Sequence, residues 1–199
     1  MEPNMTITEQ NRIWNSVKEW IQVIVIALVI SLPIRFFIAE PFIVNGASMD
    51  PTFSTGQFLI VDRISYRFEN PSRGDVIVFK YPNDPKIYYI KRIIGLPGET
   101  LTMKDGEITV TNPLDSAFTE KYPNGLTLDE QYIAGIHKSH DTMTTTLGEN
   151  SFFVMGDNRL QSSDSRAWGS LDRDLIVGKP IIRLLPPGAI SIWPGKETE

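Results

Sequence analysis

The sequence predicts a mainly β fold carrying a single apolar helix at its N-terminus, and three observations lead there. No charged residue occurs from Trp20 to Ile34. Beyond that run the chain breaks into short apolar stretches of strand length. Its 14 Gly and 14 Pro supply the turns between them. At 199 residues the chain suits one core with an anchor or a small insert, and it is short for two independent domains.

The helix is expected over residues 20–39, after an N-terminal segment of residues 1–19. Twenty residues at about 1.5 Å each just cross a hydrocarbon layer of about 30 Å, provided Arg35 snorkels to the headgroups near one end. A cleaved secretory signal would have a short apolar core and a small-residue cleavage site. Here Leu32-Pro33-Ile34-Arg35-Phe36 follows the apolar run instead. A buried core helix would show a polar face, and a buried strand would be shorter. Trp14 and Trp20 suit one membrane interface, and Phe36, Phe37 and Phe42 the other, although Phe42 suits core packing equally well. Arg12 and Lys18 precede the run and Arg35 follows it, a slight basic excess on the N-terminal side.

Residues 40–199 form the folded domain. Phe58–Val61, Asp75–Phe79, Ile87–Ile90 and Arg92–Ile94 read as strands bounded by Gly56, Asn70-Pro71, Pro82-Asn83 and Gly95-Leu96-Pro97-Gly98. Thr100–Met103 and Glu107–Val110 flank Asp105-Gly106, a strong hairpin signal. Residues 112–148 turn polar and irregular and read as an insert or long loop outside the core. Strands return at Ser151–Met155, Leu175–Val177 and Ile181–Leu185, the last stopped by Pro186-Pro187-Gly188.

A net charge of −5 and a pI near 5.1 argue against a general nucleic-acid binder, which would show phosphates a basic face. The absence of Cys excludes disulfides, thiolate zinc sites and a cysteine nucleophile, while leaving the compartment open.

Two residues draw attention for chemistry. Ser48 follows Gly46-Ala47, where a small-residue turn exposes a hydroxyl, and precedes Met49-Asp50-Pro51-Thr52. Alone it reads as an ordinary turn serine, because an activated serine needs a base within reach. The two histidines, His137 and His140, both lie in the polar stretch, so a Ser-His-Asp triad is not expected; as a His-x-x-His pair they lack an acidic partner pattern. Lys91 interrupts the strand-like Tyr88-Tyr89-Ile90-Lys91-Arg92-Ile93-Ile94. Alternation puts Tyr89, Lys91 and Ile93 on one face and Ile90, Arg92 and Ile94 on the other, so one of the two basic side chains is expected to point inward. A lysine becomes a base near pH 7 once burial lowers its pKa by roughly three units. Taken alone, Lys91 and Arg92 are simply edge-strand charges.

Gly46-Ala47-Ser48-Met49-Asp50-Pro51-Thr52, Tyr89-Ile90-Lys91-Arg92 and Gly156-Asp157-Asn158-Arg159 through Asp164-Ser165-Arg166 together resemble the boxes of type I signal peptidases, in the family's order, over about Glu40 to Pro187. The resemblance implies a signal-peptidase-like antiparallel β-sheet catalytic domain on one transmembrane helix, with the N-terminus cytoplasmic and the catalytic domain outside the cell membrane. It implies Ser48 as nucleophile and Lys91 as general base, with no metal or organic cofactor. Ser162 would orient the lysine, and Asp164 and Arg166 would form a supporting ion pair. Asp75 of Arg73-Gly74-Asp75 matches a further box and is expected to be structural. Where some members carry a serine that helps form the oxyanion hole, this chain has Gly46; the Ser48 N–H is then the main expected donor, and Gly46→Ser should be tolerated or mildly beneficial. Substrates would be secretory precursors bound as an extended strand, with Ile43, Val44, Met49 and Tyr89 as candidate lining residues. Two other readings compete: a Ser-Lys self-cleaving repressor, which should carry a helix-turn-helix in place of the anchor, and an inactive anchored binding module of the same fold.

Overall fold

The computed structural model describes residues 7–33, 39–133, 135 and 139–196. The chain divides into two units, residues 1–39 and 40–199. In the first, a helix α1 spans Ile7–Pro33, and within it Trp14–Leu32 is apolar enough to cross a membrane. Those 19 residues extend about 28 Å at 1.5 Å per residue. Every side chain along the stretch is exposed, Trp20 at 70%. The helix overlaps the expected residues 20–39 and begins well before them, and residues 34–38 lie outside the described residues. Ala39 already belongs to a strand. Arg35, Phe36 and Phe37, assigned above to an interface, lie outside the described residues.

Strand β1 (Ala39–Ile43) begins at the boundary, and the second unit continues with β2 (Phe58–Asp62), β3 (Val76–Tyr81) and β4 (Asp84–Gly95). A hairpin of β5 (Thr100–Lys104) and β6 (Glu107–Thr111) comes next, turning through Asp105 and Gly106 at φ 53° and 86°, as a two-residue primed turn requires. Helix α2 (Ser116–Lys121) and strands β7 (Leu126–Thr127) and β8 (Met143–Thr146) lead to β9 (Ser151–Met155). The chain ends with α3 (Ser165–Trp168), β10 (Leu171–Asp172), β11 (Ile176–Leu185) and β12 (Ser191–Ile192).

These strands form two antiparallel sheets. The larger has eight strands in the order β1-β2-β11-β3-β4-β9-β10 with β12 on β11; the smaller runs β7-β6-β5-β8. The polar stretch 112–148 is therefore not outside the fold. Met143–Thr146 pairs along β5, Leu126 and Thr127 pair with β6, and Leu147 is buried. Its composition misleads because β8 is a Thr-rich edge strand whose alternate side chains face water, which leaves almost no hydrophobic signal.

The core explains the lysine. Ile77, Phe79, Ile93, Phe152, Val154 and Leu171 pack on one side of β3, β4 and β9, while Ile94, Phe153 and Met155 pack with the small sheet's Leu101, Met103, Ile108 and Val110 on the other. Residues 91–95 of β4 are thus all buried. Both Lys91 and Arg92 are enclosed, not one of the two, because the strand that carries them is covered on both faces.

Gly178 sits where β11 passes from β3 to β2, and a Cβ there would lie 1.9 Å from the Asp62 carbonyl oxygen. Gly178→Ala is expected to lower stability by about 2 kcal/mol or more, as forced overpacking does, read by urea unfolding with tryptophan fluorescence in detergent.

Candidate active site

The loop between β1 and β2 presents Ser48 because its neighbours are pinned. Met49 and Phe53 are buried with Val44, Leu59 and Val76. The Phe53 N–H donates to the Met49 carbonyl at 2.8 Å, and the Val44 and Gly56 N–H groups close the loop's base at 2.9 Å. Apolar anchors on both sides leave the Ser48 hydroxyl half-buried at the surface of the fold.

Strand β4, held opposite Ile77 of β3, delivers Lys91 to the same point. Its Nζ donates to Ser48 Oγ at 2.7 Å and to the Ile90 carbonyl at 3.0 Å, and lies 5.2 Å from the Tyr89 ring centroid. Burial pushes the Lys91 ammonium down from 10.5 to about 8, against the opposing pull of the Asp164 and Asp157 carboxylates. A neutral amine at this position would lie within reach of the serine proton.

The turn at Gly156 joins the two. Its backbone is so close that a Cβ would lie 2.3 Å from the Ser48 carbonyl oxygen and 2.4 Å from Ser162 Oγ. The Asn158 N–H donates to the Ser48 carbonyl at 3.0 Å. Asp157 accepts from Arg92 Nε at 2.9 Å and Nη2 at 2.7 Å, and from Thr52 Oγ1 at 2.5 Å.

Asp164 is fully buried and accepts from the Gly156 N–H at 3.1 Å and from Arg166 Nε and Nη2, both at 2.8 Å. Burial alone would raise its carboxyl pKa, yet hydrogen bonds and charge from Arg166 outweigh that and hold it below the ordinary value. The expected Asp164–Arg166 ion pair is present, and Arg166 also holds Asp141 at 2.6 Å. The expected Ser162–Lys91 hydrogen bond is not made: the Ser162 hydroxyl is buried against Gly156 and lies beside Asp164, whose pKa it helps to lower.

An open cleft runs along the site, lined by Ile43, Val44, Tyr88 and Tyr89 beside Ser48 and Lys91. Three of the four candidate lining residues are thus brought together. Met49 is not: it is 1% exposed and anchors the loop from below, its backbone direction having turned between Ser48 and Met49. Among the described residues no cluster of His, Cys, Asp or Glu is placed to hold a metal. His140 is exposed, and His137 lies outside the described residues. Sequence reading missed Glu130 and Tyr132, which contact Arg159 and Arg92, since nothing in a polar irregular stretch marks them. It also left Arg92 without a role, although adjacency to Lys91 was the available signal.

An antiparallel β domain that sets a buried lysine amine against a half-buried serine hydroxyl has the arrangement of a Ser-Lys serine hydrolase. The family model described as signal peptidase, peptidase S26, matches residues 17–185. The chain is 35% identical over 180 residues to a probable signal peptidase I-1 of Synechocystis sp., covering 87% of this chain and 85% of that protein. It is 35% identical over 174 residues to signal peptidase I of Bacillus licheniformis, covering 82% of this chain and 86% of that one. A solved signal peptidase I from Enterococcus faecalis V583 aligns at 28% identity with a TM-score of 0.44, over 56% of this chain and 97% of that chain. The chain belongs to the signal peptidase family, peptidase S26.

Gly46 corrects one expectation. Its φ is +102°, a region that L residues rarely adopt, although there is open space for a side chain. Gly46→Ser is therefore expected to cost about 1 kcal/mol of stability and to lower turnover rather than improve it, measured by thermal melting alongside precursor cleavage. Gly156→Ala must push the Ser48 carbonyl and Ser162 aside; we expect kcat to fall about 100-fold or more with the circular dichroism spectrum retained.

Proposed function

We propose that this chain is a single-pass, membrane-anchored signal peptidase in which Ser48 is the nucleophile and Lys91 the general base. The observation that carries the reading is the 2.7 Å contact between a buried Lys91 Nζ and Ser48 Oγ. Neutral Lys91 takes the hydroxyl proton as Ser48 Oγ adds to the scissile carbonyl. The developing oxyanion faces the Ser48 backbone N–H. Protonated Lys91 then gives its proton to the departing amine, leaving an acyl-enzyme on Ser48. Lys91 next deprotonates a water that hydrolyses the ester, and Ser48 recovers its proton.

The substrate is the signal peptide region of an exported precursor, lying extended in the cleft beside Ile43, Val44 and Tyr89. Small side chains flank the cut, a preference carried from the family resemblance. Helix α1 is the anchor, with Trp14–Leu32 in the bilayer of the cell membrane. Arg12 and Lys18 mark the N-terminal side as cytoplasmic, which leaves residues 40–199 as the extracytoplasmic catalytic domain. Ser162, Asp164 and Arg166 support the pair from the far side of Gly156, and their contribution is positional.

Full-length wild type in detergent should cut a secretory precursor at the signal junction, while Ser48→Ala and Lys91→Ala, folded by circular dichroism, should not. Normal cutting by Lys91→Ala would overturn the mechanism. Because the base acts only when neutral, kcat/KM should rise about tenfold per pH unit below the Lys91 pKa of about 8 and level off above it. A rate that falls with rising pH across that window would exclude Lys91 as the base.

A further inference from the structure

We infer that Tyr132 and Glu130, in the segment between β7 and β8, are positioning residues for the Ser48–Lys91 pair, clamping the two guanidinium groups that brace the turn Gly156–Arg159 under the nucleophile loop. The inference rests on the Ser48–Lys91 reading given above.

The contacts form a continuous path. The Tyr132 ring centroid lies 4.0 Å from Arg92 Cζ, and its hydroxyl donates to Glu130 Oε1 at 2.8 Å. The Glu130 carboxylate receives Arg159 Nη1 at 3.1 Å and also Arg159 Nη2, with both side chains less than a tenth exposed. Arg159 Nε in turn donates to the Gly156 carbonyl at 3.0 Å. Arg92 grips Asp157, which receives Thr52 Oγ1, four residues beyond the nucleophile. One short segment therefore reaches both ends of the turn whose Asn158 N–H holds the Ser48 carbonyl.

The Arg92 geometry shows what the ring contributes. Nε and Nη2 are spent on Asp157, and Nη1 donates to the Gly74 and Gly195 carbonyls at 2.8 Å. Those bonds fix the edges of the guanidinium plane, and Tyr132 covers a face, so the group cannot tilt and Asp157 cannot follow it. Buried ion pairs give little net stability compared with apolar packing. Ile133, buried beside them, already ties this segment to the protein interior. Glu130 and Tyr132 are thus placed to set orientation. Lys91 is next to Arg92 on β4, so tilt at one is felt at the other. The groups facing Lys91 are Ser48, the Tyr89 ring and the Asp157 and Asp164 carboxylates, of which Asp157 alone is held through this clamp.

The test uses the full-length chain in detergent with a secretory precursor, measuring kcat and KM from pH 6 to 10 for wild type, Tyr132→Leu, Tyr132→Phe and Glu130→Gln. Tyr132→Leu should lose about tenfold or more in kcat with KM within about twofold, as misplacement of reacting groups does. Its pH midpoint should move upward, because water reaches Lys91 and the Asp157 charge is less well compensated. Tyr132→Phe keeps the ring over Arg92 and should stay within about threefold of wild type. Wild-type kcat and midpoint in folded Tyr132→Leu would overturn the inference, as would a loss that tracks thermal unfolding with the midpoint unmoved. Should Tyr132→Leu fail to fold, Glu130→Gln decides: lower kcat with a raised midpoint supports the clamp, and unchanged values overturn it. Failure of wild type itself to cut would count against the peptidase reading, a separate result.

Discussion

The contact between the buried Lys91 amine and the Ser48 hydroxyl, made at 2.7 Å, is the constraint around which the folded domain is built. Lowering the lysine from 10.5 to about 8 corresponds to about 3 kcal/mol against the folded state. The sign follows from linkage: the folded pKa lies below the unfolded one, so the penalty is complete below about pH 8 and is relieved as pH rises from there toward 10.5. The protein is least comfortable at the pH values where the amine is mostly charged. On the proposed mechanism, the desolvation that costs stability is the same desolvation that makes a usable base.

Two buried carboxylates stand close enough to undo that desolvation. Each is tied to its own arginine, Asp164 to Arg166 and Asp157 to Arg92. An uncompensated carboxylate at either place would favour the charged ammonium and raise the Lys91 pKa. Pairing them elsewhere keeps their structural use, since Asp164 caps the Gly156 N–H and Asp157 ties down Thr52, without raising the Lys91 pKa in full. The site's electrostatics are therefore a matter of where each negative charge finds its positive partner.

The sequence showed the central strands because their apolar runs are dense, and the Asp105-Gly106 hairpin because its turn chemistry is local. It brought forward Ser48 and Lys91 only when separate segments were read together. It did not show β7, β8 or β10, which are short or half-exposed and draw their order from neighbours rather than from their own residues. Met49 was misplaced because a loop has no fixed period from which to read the direction of a side chain. Glu130 and Tyr132 were invisible for a deeper reason. Their partners, Arg159 and Arg92, are 29 and 40 positions away, and a polar residue in a polar stretch carries no mark of being buried.

The adjacency of Lys91 and Arg92 draws these strands together. Successive residues on β4 face opposite sides, and because the strand is covered on both, one dipeptide supplies a desolvated amine to one side and a bracing guanidinium to the other. A slip of one residue would exchange them, presenting Ser48 with an arginine that cannot give up its proton at any accessible pH. On the proposed mechanism, register is thus a catalytic variable in this fold. It is pinned from both neighbours, by Val76 and Ile77 of β3 opposite Arg92 and Lys91, and by Met155 of β9 opposite Arg92. Met155 immediately precedes Gly156, so the strand that fixes the lysine's register also launches the turn that holds the serine, and the two halves of the site are located from a single ladder.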